Sequence, residues 1–171
     1  MANSINIIRY MALGAVLMLS IACSDNREGQ LTHQTEQYIE ALRANDHKYF
    51  VGHTHPKAVI LWGGPKQMIA LLQRDEGMPR SITRIEAGEP GTIYAAGEEL
   101  HALIPYTYVM KVQDGKYIFN THLMAVSQDD GRSWLFSGLS KSAKEDVPKV
   151  FPDYNKEMDL PDYEEPEFIA D

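Results

Sequence analysis

"LHALIPYTYVMKVQDGKYIFNTHLMAVS", residues 100–127, decides the fold. Its even positions carry Leu100, Ala102, Ile104, Tyr106, Tyr108, Met110 and Val112, while the odd ones include His101, Thr107 and Lys111. Neighbouring side chains of a strand point to opposite faces, so this alternation predicts a long strand with one largely apolar face. "QDGK" supplies Asp114-Gly115, a hairpin turn, and "YIFNTHLMAVS" is the returning strand. "QDDG" at 128–131 turns the chain again, and "RSWLFSGLS" at 132–140 is the last strand of the run.

Upstream of the hairpin, "SITRIEAGE" (81–89) alternates imperfectly as a further strand, followed by turn chemistry at Pro90-Gly91 and Gly97. Earlier still the period is helical. "HQTEQYIEALRAND" places Tyr38, Ile39 and Leu42 on one stripe, with Thr35 as its expected cap. Tyr49, Phe50 and Val51 belong to a second short helix capped by Asn45 or Asp46. Pro56 and Pro65 each suit the first turn of a helix; Gly63-Gly64 separates the two, and Gly77 is the expected stop for "PKQMIALLQRDE". A short helix is expected near 143–150. Helices followed by antiparallel strands define an α+β domain with its helices packed on one sheet face.

The first 22 residues differ from the rest. Arg9 precedes an apolar block of about 13 residues, "YMALGAVLMLSIA", too short for the roughly 20 residues of a membrane-spanning helix. A charged start, a short apolar core and the small residues Ser20 and Ala22 describe a secretory signal peptide over residues 1–22. Cys23, the only cysteine, follows it and opens a polar stretch. An internal disulfide is impossible, so the domain is held by its core alone. The organisation expected is a signal peptide over 1–22, a tether over 23–32, a domain over 33–158 and an acidic tail over 159–171.

The chain carries a net charge of −8. Residues 145–171 hold ten acids against Lys149 and Lys156, so the acidity belongs to the C-terminal end and the body is close to neutral. Nucleic acid is excluded as a partner, because phosphate recognition requires a basic patch. The acidic, proline-punctuated end reads as solvated and disordered.

Two resemblances add to this reading. "SIAC" resembles the lipobox of bacterial lipoproteins, with Ser20 where leucine is more usual. It implies that Cys23 becomes the acylated first residue of an exported protein, anchored to a membrane of the cell envelope. Ser24 after the cysteine implies the outer membrane, on its periplasmic side, rather than the inner one. The helix-then-sheet order, with "HPKAVILWGGPKQMIALLQ", "EELHALIPYTYVMKV" and "LMAVSQDDGRSWLFSG", resembles a family of uncharacterised bacterial NTF2-like lipoproteins and secreted proteins. That implies about three N-terminal helices on a strongly curved antiparallel sheet, a cone that often encloses an apolar pocket. The family implies no catalytic residue, and fold alone does not decide function.

Side-chain chemistry is sparse. His53 and His55 form an H-x-H pair, but no third ligand is near in sequence, so no metal and no cofactor is expected. The strand segments 100–112, 117–127 and 133–139 contain no Asp or Glu, which removes the buried carboxyl that an NTF2-like isomerase requires. No nucleophile motif is present, so no catalytic residue is assigned. His122, with Asn120 on the same strand face, is the one candidate base. The aromatics Trp62, Tyr106, Tyr108, Phe119, Trp134 and Phe136 are expected in the core, with a subset lining a pocket. The candidate pocket is Trp62, Tyr106, Tyr108, Asn120 and His122.

Three functions fit. The first is a lipid-anchored, non-catalytic domain that binds a small apolar ligand or a protein partner. The second is an isomerase, dehydratase or cyclase using His122. The third is a structural or interaction module that forms a homodimer through its sheet.

Overall fold

The structure, a computed structural model, describes residues 26–73, 82–139 and 143–171. Helix α1 spans 26–43, followed by α2 (His47–Gly52), α3 (Pro56–Leu61) and α4 (Pro65–Leu72). The strands are β1 (Ile82–Ala87), β2 (Tyr94–Ala96), β3 (Glu99–Val112), β4 (Gly115–Ser127) and β5 (Leu135–Gly138). Helix α5 (Ala143–Val150) and strand β6 (Glu167–Ala170) complete the chain.

Local chemistry accounts for the helix boundaries. The Asp46 carboxylate accepts from the Tyr49 N–H at 3.0 Å and caps α2. Pro56 and Pro65 open α3 and α4 at positions where a missing N–H costs nothing. Gly63 and Gly64 take φ of 85° and 93° between them, a region that a side chain disfavours.

The sheet has six strands, all antiparallel, and is open. Its axis is the β3–β4 hairpin, paired continuously from Leu100↔Ser127 to Val112↔Gly115. β1 and β2 share the outer edge of β3, at 106–110 and 99–101. On the outer edge of β4, β5 takes 123–126 and β6 takes 115–118. Thus residues 119–122 of β4 have no strand partner on that edge among the described residues.

Both faces are packed at the end where β3 begins. Ala102, Ile104, Leu123 and Ala125 meet Leu31, Tyr38 and Ile39 of α1, together with Trp134 and Phe136. Tyr38 stacks between Phe50 and Phe136, with centroids at 4.5 and 4.6 Å. Burying each such side chain contributes roughly 1.5–3 kcal/mol. On the other face Met124 and Val126 lie under Val147, Phe151, Met158 and Leu160. Cover on a single face therefore describes only part of the sheet, because α5 and the segment after it bring a second apolar set.

The structure revises several expectations. Residues 26–32 form the first turns of α1, not a tether: Leu31 is fully buried, and Arg27 pairs with Asp130 in the β4–β5 turn. Thr35 is no cap; it is buried inside α1, its hydroxyl donating to the Leu31 carbonyl at 2.7 Å. Four helical segments precede the sheet among the described residues. The expected stop at Gly77, the signal segment and Cys23 lie outside them. At the C-terminal end, where composition predicts a solvated coil, Glu167–Ala170 pairs with Gly115–Ile118. All four side chains are exposed, so the composition is that of an unburied segment. The pairing comes from the backbone groups that an open edge offers.

Candidate ligand cavity

Beyond the packed end, the same sheet face and the helices diverge and leave a cavity of about 820 Å³. Its floor is Tyr106 and Tyr108 of β3 with Phe119 and Thr121 of β4. These residues share a face by register, since Tyr106 pairs with Thr121 and Tyr108 with Phe119. The Tyr108 and Phe119 rings lie parallel, 4.5 Å apart. Tyr38 and Leu42 of α1 and Phe50 of α2 form one wall, and Met68 and Leu72 of α4 another. Pro161, Asp162, Tyr163, Glu164 and Pro166, ahead of β6, border the cavity as well. An apolar enclosure with a few placed polar groups is the usual form of a small-molecule site.

The polar groups are few and mostly engaged. Thr54 donates to the Phe50 carbonyl at 2.8 Å, which leaves its oxygen to accept from Tyr38 at 3.0 Å. Thr121 donates to the Leu139 carbonyl at 3.1 Å. Tyr106 makes no hydrogen bond among the described residues. Burial pushes the Tyr38 and Tyr106 hydroxyls far above the ordinary value of 10.0, so both stay neutral. Among the described residues no Lys or Arg lines the cavity, and its acids, Asp162 and Glu164, come from the C-terminal segment; Asp162 pairs with Lys144 at 2.6 Å.

All five residues of the candidate pocket line this cavity, but in two groups. Tyr106 and Tyr108 belong to the floor. Asn120 and His122 pair with Thr107 and Pro105, which puts them on the opposite sheet face. Both lie in the stretch of β4 that has no outer strand partner among the described residues. Asn120 accepts from the Thr107 hydroxyl at 3.0 Å. Burial holds the His122 imidazole below its ordinary range, with Glu164 acting against it. Trp62 is 49% exposed and sits at the rim, not in the core, because α3 ends at the surface. Trp134 and Phe136 are fully buried in the packed end.

Tyr38, Phe50 and Met68 line the cavity too, outside the candidate pocket expected from sequence. Their helical stripes were visible, but the gap between helices and sheet is a tertiary property.

The histidines of the H-x-H pair serve local structure. His53 Nδ1 lies 2.9 Å from the Tyr49 carbonyl, and its ring stacks on Tyr49 at 3.9 Å. His55 caps α3 by accepting from the Lys57 N–H at 3.3 Å. Among the described residues no group of three or more His, Cys, Asp or Glu is placed to hold a metal ion, and no helix is long and apolar enough to cross a membrane.

Fold and cavity define an α+β protein with an apolar, half-open cleft between helices and sheet. No family model, no curated protein and no solved structure matches the chain.

Proposed function

We propose that this protein is a lipid-anchored cell-envelope protein whose single domain, an NTF2-like cone, binds a small apolar ligand without chemistry. The observation that carries the binding reading is the cavity of about 820 Å³, floored by aromatic rings and, among the described residues, bordered by carboxylates from the C-terminal segment alone. The cone assignment rests on the helix-then-sheet order and the long central hairpin. The anchor rests on the sequence around Cys23, which the resemblance to lipoproteins makes the acylated residue; the outer membrane, facing the periplasm, is the location it implies.

Binding is favoured over catalysis because the one candidate base, His122, is on the face opposite Tyr106 and Tyr108. Saturable fluorescence enhancement of N-phenyl-1-naphthylamine, abolished by a bulky side chain in the cavity, tests the binding reading. Fatty-acid probe labelling of cells expressing wild type and Cys23→Ser tests the anchor: label is expected on wild type alone, and equal label on both would exclude acylation at Cys23.

A further inference from the structure

We infer that the cavity is built for a neutral apolar ligand carrying one hydrogen-bond acceptor, an aryl or alkyl ketone in type, with the Tyr106 hydroxyl as the donor that orients it. This rests on the ligand-binding reading above and adds the chemical class.

Most hydroxyls of the cavity are already engaged. The Tyr38 hydroxyl is used by Thr54, the Thr54 hydroxyl by the Phe50 carbonyl, and the Thr121 hydroxyl by the Leu139 carbonyl. Tyr106 has no such partner among the described residues. Tyr106 is one of the residues that line the cavity, on its floor. A partly desolvated hydroxyl lacking a partner is costly to the protein and is what an incoming acceptor satisfies. Tyr108 differs: its hydroxyl is less affected by burial than that of Tyr106.

Charge sets the rest of the class. Among the described residues no Lys or Arg lines the cavity, and Glu164 adds a negative charge to its lining, so the charges described there disfavour a carboxylate or phosphate ligand. A flat apolar body can stack on the parallel Tyr108–Phe119 pair. The Tyr106 hydroxyl stays protonated because burial raises it and the neighbouring Tyr108 and Tyr38 add to that, so it remains a donor across the physiological range.

The test uses three ligands of similar size: butyrophenone, butylbenzene and 4-phenylbutyrate. Each competes with N-phenyl-1-naphthylamine on wild type and on Tyr106→Phe. Tyr106→Phe is expected to weaken butyrophenone about 5–10-fold, the loss of one hydrogen bond, while butylbenzene stays within about twofold. 4-Phenylbutyrate is expected to bind wild type more weakly than butyrophenone. The carbonyl stretch of butyrophenone bound to wild type is expected below its frequency in hydrocarbon solvent; this readout needs no variant. Equal effects of Tyr106→Phe on the ketone and the hydrocarbon, an unshifted carbonyl band, or tighter binding of 4-phenylbutyrate would overturn the inference and leave the cavity reading standing. Failure of the reporter to bind wild type would overturn both.

Discussion

Tyr106 and His122 lie on opposite faces of one sheet: Tyr106 pairs with Thr121, and His122 with Pro105. Only Tyr106 belongs to the cavity floor. His122→Ala should therefore change reporter affinity by no more than about twofold, as rim contacts usually do. A tenfold loss, measured by the same fluorescence titration, would move His122 into the binding surface.

Leu31 is fully buried against the core, in a stretch whose polarity suggests a tether. Leu31→Ala should cost about 2–5 kcal/mol, the usual range for a buried leucine. Urea unfolding measures it. A change under about 0.5 kcal/mol, typical of exposed sites, would restore the tether and detach the first turns of α1 from the domain.

His55 is 4% exposed and caps α3 through its ring. Burial, the largest cause, depresses its folded pKa below the ordinary 6.5 despite the attraction of Glu99. Below pH 6.5 the unfolded chain then binds more protons than the folded one. The stability due to the neutral ring is complete above that pH and is lost as pH falls towards the folded value. His55→Asn keeps an acceptor at the cap and removes the titration. Its stability should fall less steeply than wild type's just below pH 6.5, read from denaturant midpoints. Equal slopes would contradict this.

Gly115 closes the central hairpin beneath β6. A Cβ there would collide with the Ile169 carbonyl oxygen and come within 3.0 Å of the Ala170 Cα. Gly115→Ala should release β6, the four-residue strand that holds Pro161–Pro166 at the cavity. Amide exchange at 167–170 should speed up while Met124 and Val126 in the packed end stay protected. Unchanged exchange at 167–170 would show that the strand tolerates the bulk.

The hairpin was legible because period-2 alternation over Leu100–Val112 and the Asp114-Gly115 turn are local facts. The helix starts at Pro56 and Pro65 were legible for the same reason. Thr35 was misplaced because a threonine inside a helix and one at its start look alike in sequence; only the Leu31 carbonyl behind it tells them apart. The pairing of β6 was hidden because exposed side chains carry no record of what the backbone does. The pocket was half legible. Tyr106 and Tyr108 follow from strand parity, and the same parity separates them from Asn120 and His122 once Tyr106 is known to face Thr121. The contributions of Tyr38 and Phe50 depend on how far α1 and α2 stand from the sheet.

The proposed binding site is the space between helices and sheet. Ala58, on α3, lines it, and Ala58→Trp adds an indole to that space. Titrating wild type and Ala58→Trp with N-phenyl-1-naphthylamine tests the claim directly. Wild type should bind saturably at one site, and Ala58→Trp at least about tenfold more weakly with its unfolding midpoint retained. Non-saturable fluorescence with wild type, or equal affinity in the two proteins, would contradict it.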